Sequence, residues 1–204
     1  HKRNEIVGTF TKRKNFGFVV PDDREFNTDI FISKKSFNKA KNNQKVVVKI
    51  TKFPQGNKSA EGEITEIIGG INEAGVDMLS LIKEYNLPYE FPDDVILEAK
   101  KVENKITKKD LQNRLDLRSK NIFTIDGEDA KDLDDAISVP QLENENYELG
   151  VSIADVSHYV AENSKLDQEA IIRGTSIYML DRVIPMLPKE LSNGICSLNV
   201  NEDR

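Results

Sequence analysis

Six carboxylates fall within ten positions of the chain: Asp126, Glu128, Asp129, Asp132, Asp134 and Asp135. Two carboxylates about 4 Å apart repel by roughly 4 kcal/mol at an effective dielectric near 20, so a gathering of them needs protonation, solvent or cations. Hard divalent ions meet that need. Mg²⁺ accepts carboxylate oxygens while keeping water and substrate phosphate in its other positions. The chemistry that follows is phosphodiester hydrolysis, in which two ions roughly 4 Å apart stabilise the attacking hydroxide and the leaving 3′ oxygen. Two other readings stand beside this one. Short charge runs are often solvated surface loops with no ion. A calcium loop is disfavoured, because the required Asp/Asn spacing with a Glu six residues after the Gly is not met and the flanks are not helical.

The elements around the acids follow from their neighbours. Ile122-Phe123-Thr124-Ile125 and Ala136-Ile137-Ser138-Val139 are β-rich, so a strand should enter the acidic loop and another leave it. Further along, Ser164 to Asp167 has the form of a capping box for a helix ending at Gly174. Upstream, Asp77 is placed to cap a helix with Met78, Leu79, Ile82 and Tyr85 on one side, ended by Pro88. Asp93 is placed to cap another, with Val95, Ala99 and Val102 at helical spacing. Lys100 to Lys109 reads as a solvated linker. His158, beside Tyr159 on a strand-like run, reads as structural, since a metal-hydroxide mechanism has no need of a histidine base. Asp155 is either a support to the acidic loop or a turn former. Pro185, Pro188 and Cys196 look architectural, and as the lone cysteine Cys196 allows no internal disulfide and fits a reducing compartment such as the cytoplasm.

Charge divides the chain. Residues 1–60 carry 14 Lys and Arg against 5 Asp and Glu, a balance of +9, whereas the other 144 residues balance at −15 within the overall −6. A basic module is joined to an acidic one, and basic modules attract polyanions through counterion release. In the basic part, IVGTF, FGFVV, DIFIS, KVVVKI and GEITEII read as five short strands of a small closed barrel. Pro21-Asp22-Asp23 and Phe53-Pro54-Gln55-Gly56-Asn57 supply turns between them. Phe16 and Phe18 stand at period two beside Lys14, and Phe31 falls in the next strand. Exposed rings there would stack on unpaired bases at about 1–3 kcal/mol each, with Lys12, Arg13, Lys14, Lys34 and Lys35 following the phosphates. The alternative is that these rings fill the barrel. No apolar run approaches the roughly 18 residues of a membrane span, and the N-terminus has no apolar signal-peptide core.

FGFVVPDD followed by DIFIS resembles the paired ribonucleoprotein-like strands of a cold-shock domain, although Asn15 stands where that family usually has Gly or an aromatic. TIDGEDAKDLDDAISV resembles the entry to the catalytic domain of the ribonuclease II/R family, on its R branch. The likeness continues through GVSIADVSHYV, RGTSIYML and VIPMLPKELSNGICSLN. It implies an α+β, β-rich chain: an OB-fold (cold-shock-like) RNA-binding barrel over 1–69, a helical connector over 70–112, and the N-terminal part of a ribonuclease II-type catalytic domain over 113–204. It implies a processive 3′→5′ exoribonuclease that hydrolyses single-stranded RNA to nucleoside 5′-monophosphates with Mg²⁺ or Mn²⁺ and no small-molecule cofactor. Asp126, Asp132, Asp134 and Asp135 match the four metal-holding aspartates of that family, Asp134 foremost. Tyr178 matches the aromatic that stacks near the RNA 3′ end. The first residue is His and the match stops shortly after entering the catalytic domain, so the chain reads as a piece of something longer, inactive or weakly active alone. The rival expectation is an RNA-binding module without chemistry.

Overall fold

A computed structural model describes residues 4–23, 26, 28–56, 58–103, 105–112 and 114–204; Asn57, assigned above to a turn, lies outside the described residues. The chain divides into two compact units, 1–89 and 90–204. The division falls inside the segment read as a connector, so its two helices belong to different units.

In the first unit, β1 (Glu5–Lys12), β2 (Phe16–Pro21), β3 (Ile30–Ser33), β4 (Gln44–Lys52) and β5 (Glu61–Gly70) close into a barrel in the order β1-β2-β3-β5-β4. All neighbours are antiparallel except β3 with β5, whose parallel pairing closes the ring. Alternation along each strand divides the side chains. Phe10, Val19, Ile30, Ile32, Val46 and Val48 are fully buried inside, while Phe16, Phe18 and Val20 leave β2 on the other side. Gly17 has a packing reason to lack a side chain: a Cβ there would lie 2.4 Å from the Phe10 ring. Helix α1 (Val76–Glu84) packs against this barrel with Val76, Ser80 and Ile82 buried. Its N-cap is Gly75 in a left-handed conformation, φ 82°, not Asp77. Asp77 sits within the first turn, two residues after the cap, where its charge favours the helix dipole and its carboxylate accepts from the Met78 amide at 2.8 Å. Tyr85, expected on the packed side, is exposed because the helix has ended at Glu84.

In the second unit, α2 (Asp93–Ala99) starts after Pro92, so Asp93 is the first helical residue and not the cap. α2 packs on α4 (Lys165–Arg173) around Val95, Ala99, Leu166, Leu191, Ile195 and Cys196. α4 is bounded as expected: Ser164 Oγ accepts from the Asp167 amide at 3.1 Å, and Gly174 closes the helix at φ 73°. Arg173, whose side chain is 1% exposed, is satisfied by Glu169 at 2.8 Å, by the Glu90 and Pro185 carbonyls and by the Phe91 ring 3.5 Å away. Two hairpins complete the unit: β6 (Asp135–Ser138) with β7 (Gly150–Ile153), and β8 (Ile177–Tyr178) with β9 (Val183–Ile184). The run expected to be strand-like through Tyr159 instead turns into the short helix α3 (Val156–Tyr159), which carries His158.

Candidate metal centre and RNA face

The acidic loop hangs between backbone anchors. At its entry the Phe123 and Ile137 backbones exchange hydrogen bonds of 3.0 and 2.9 Å; this is one bridge where a strand was expected. At its exit Asp135 opens β6 opposite Ile153. Between these points the Ala130 amide closes a turn onto the Gly127 carbonyl at 3.0 Å, which leaves Glu128 and Asp129 exposed at the tip. The Ala154 amide holds the Asp134 carbonyl at 2.9 Å.

Partial desolvation, then the charges of Asp132, Asp135 and Asp126, raise the Asp134 carboxyl above the ordinary aspartate range. Three of the aspartates singled out in the sequence therefore act on the fourth, Asp134, while Glu128 and Asp129 are not among the causes of that shift. Among the described residues no group of three or more His, Cys, Asp and Glu side chains is arranged to hold a metal ion. Mg²⁺ does not demand one, since it is usually bound by one or two carboxylates with water and substrate phosphate completing its octahedron. Oxygen donors with uncompensated mutual repulsion fit a hard divalent cation in chemistry and in charge.

Tyr178, on β8, joins this cluster. Its hydroxyl donates to Asp132 Oδ2 at 2.5 Å, and that bond, with burial and the charges of Asp132 and Asp134, pushes the phenol up to about 12. The ring is otherwise 65% exposed, so one face stays open to a planar partner. Asp155 turns away from the cluster's chemistry: Arg114 at 2.6 Å and the Ser157 hydroxyl at 3.0 Å occupy its carboxylate, and these bonds hold it below the usual range. His158 faces Asp110 at 3.3 Å. Cys196 is buried, and burial pushes its thiol up to about 11, which leaves little thiolate for chemistry. Ser197 was not visible as a candidate in the sequence. Its buried hydroxyl accepts from the Leu133 amide at 3.0 Å, across 64 residues of chain, and no local pattern marks such a contact.

On the first unit, Phe16, Phe18 and Phe31 form one ring cluster on the outer surface of β2 and β3, with centroids 5.5, 5.9 and 6.0 Å apart. Phe16 is 39% exposed and the other two are half-buried. None fills the barrel, whose interior aromatic is Phe10 with Phe37. Lys12, Arg13 and Lys14 are exposed around the β1–β2 turn, which the Arg13 amide closes on the Phe16 carbonyl at 2.8 Å. The Lys12 ammonium lies 5.7 Å from the Phe37 ring. Lys34 and Lys35 are exposed on a 3₁₀ turn directly after β3.

Known families match the two ends of the chain: a cold shock domain over residues 18–92 and an RNB domain over residues 114–204. Ribonuclease R of Thermotoga maritima is 52% identical over 201 residues, covering 98% of this chain and 28% of that protein. Mycoplasma genitalium RNase R, solved in complex with double-stranded RNA, is 30% identical with a TM-score of 0.86, covering 98% of this chain and 35% of that one. The same enzyme solved with ribose-methylated single-stranded RNA also has a TM-score of 0.86, at 30% identity over 98% of this chain and 32% of that one. The chain thus spans about a third or less of these three relatives' own length.

Proposed function

The chain belongs to the ribonuclease II/R family, and from that membership we propose that it forms part of a processive 3′→5′ exoribonuclease releasing nucleoside 5′-monophosphates from single-stranded RNA. The observation that carries the reading is the gathering of Asp126, Asp132 and Asp135 close enough to Asp134 to raise its carboxyl. These four side chains would hold Mg²⁺, or Mn²⁺, against the scissile phosphate. Bound there, two such ions supply a hydroxide nucleophile and charge neutralisation at the leaving oxygen.

The remaining roles fall to the protein. Tyr178 keeps Asp132 oriented through its hydroxyl and offers its exposed ring to a base near the 3′ end. The barrel over residues 1–69 is the RNA-binding domain, its bases stacking on Phe16, Phe18 and Phe31 and its phosphates drawn to Lys12, Arg13 and Lys14. Residues 113–204 open the catalytic domain, after the connector over 70–112. Among the described residues no helix is long and apolar enough to cross a membrane, and the lone buried thiol suits the cytoplasm. Three of the four aspartates are exposed, Asp132 being half-buried, so the 204 residues alone do not exclude water or orient RNA. Their activity by themselves should be weak or nil.

The reading is tested in a chimera in which this chain replaces the matching 201-residue span of the Thermotoga maritima relative. With Mg²⁺ it should shorten 5′-labelled single-stranded RNA and release 5′-monophosphates; a folded chimera that leaves the RNA intact, or cuts it internally, contradicts the proposal.

A further inference from the structure

Ser197 is fully buried, at 0% exposure, yet its hydroxyl is committed to the acidic loop and to little else. Its oxygen accepts from the Leu133 amide at 3.0 Å, and its proton faces the Lys131 carbonyl at 3.0 Å, with Asn199 Oδ1 at 3.3 Å the other acceptor in reach. The Lys131 carbonyl belongs to the peptide before Asp132 and the Leu133 amide to the peptide after it, so a single oxygen brackets that aspartate. The next residue continues the grip: the Leu198 amide donates to the Leu133 carbonyl at 2.9 Å, fixing the peptide that leads into Asp134. With Ala154 on the Asp134 carbonyl, every peptide from Lys131 to Asp135 is anchored through one atom, and Ser197 and Leu198 hold all but the last.

The grip is itself fastened to the core. Ser197 follows the π-helical turn Glu190–Ile195, its amide bonds to the Gly194 carbonyl at 3.0 Å, and Leu191, Ile195 and Cys196 before it are buried against α2 and α4. The aspartates it serves are largely exposed, so packing of their own side chains does little to fix the backbone between them. We propose that Ser197 is a positioning residue that tethers the Asp132–Asp134 tract to the hydrophobic core and so limits the backbone positions from which these carboxylates can reach a divalent cation. The inference rests on the reading of the loop as a cation site. Partners one step removed from a metal commonly change its affinity 10–100-fold when lost.

The test uses the 204-residue chain with Mn²⁺ as the probe. Amide hydrogen exchange and Mn²⁺ affinity, read by electron paramagnetic resonance, are compared for the wild type, Ser197→Ala, Ser197→Cys and Asp134→Asn, each with its melting temperature. Ser197→Ala should speed exchange of the Leu133 amide at least about tenfold, leave barrel amides such as Val19 and Val48 unchanged, and weaken Mn²⁺ by about 10–100-fold. Ser197→Cys leaves no cavity, its thiol being somewhat larger than the hydroxyl, while weakening both hydrogen bonds, so it should fall between wild type and alanine, and it carries the comparison should alanine lower the melting temperature. Unchanged Leu133 exchange in both serine variants overturns the tether. Weakened Mn²⁺ binding in Asp134→Asn with none in the serine variants overturns the positioning role alone. Unchanged binding in Asp134→Asn removes the cation reading and the positioning role with it.

Discussion

At the scale of single residues, Asp134 is the group on which the site's electrostatics converge, and its raised carboxyl has a consequence for stability. A carboxyl raised on folding disfavours the folded state once pH exceeds its folded value, because the charge must then be carried among like charges; below the unfolded value the penalty is absent. Asp134→Asn should therefore stabilise the metal-free chain at neutral pH, by on the order of 0.5 kcal/mol after solvent screening, while removing any gain in melting temperature on adding Mn²⁺. Thermal unfolding with and without the ion measures both effects. Asp155 works in the opposite direction. Its carboxyl is depressed below 3.8 by the hydrogen bonds from Arg114 and Ser157, so its contribution is fully present above that value and is lost as pH falls through the folded one. Stability of the wild type should drop more steeply than that of Asp155→Asn below about pH 4, as followed by denaturant unfolding at stepped pH. These roles were unequally visible beforehand. The acids stand together in the sequence, so charge spacing revealed them. The sequence around Asp155 is compatible with two roles, because its partner Arg114 lies 41 positions away and no local pattern links them.

At the scale of elements, β2 separates two kinds of aromatic that composition alone cannot tell apart. Phe18 belongs to the outer ring cluster and Phe10 to the interior. Phe18→Ala should weaken single-stranded RNA binding by roughly 1–3 kcal/mol in filter binding while circular dichroism and melting stay near native. Phe10→Ala should cost about 3–5 kcal/mol of barrel stability, because a fully buried ring leaves a cavity. The reverse pattern would assign Phe18 to the core. Period-two alternation made the five strands legible to within a few residues, since one buried face dictates their pattern. Helix starts were less legible. Asp77 and Asp93 are good caps by residue type, yet Gly75 and Pro92 take that position, and the acids act one or two residues inside through the dipole. Over the four residues of α3 a helical period is too short to show against the strand-like run before it.

At the scale of the whole molecule, a basic barrel unit and an acidic unit occupy one chain. Binding that depends on phosphates should weaken steeply with salt, log affinity falling linearly with log salt concentration, and the slope should shrink on replacing Lys12, Arg13 and Lys14 together. A salt-independent affinity would mean that the exposed lysines are only a solvated surface. The division into basic and acidic parts was legible in residue counts. The boundary of the compact units was not, because the helices on either side of Tyr89 show the same amphipathic pattern whichever unit they cover.

The proposal that the acidic loop is a divalent-metal centre for RNA hydrolysis is put to the test by comparing the chimera with its Asp134→Asn form on 5′-labelled single-stranded RNA in saturating Mg²⁺. Loss of charge stabilisation worth several kcal/mol predicts a fall in the single-turnover rate of at least about a hundredfold, with RNA affinity nearly unchanged. Hydrolysis at the unaltered rate by the Asp134→Asn form would contradict it.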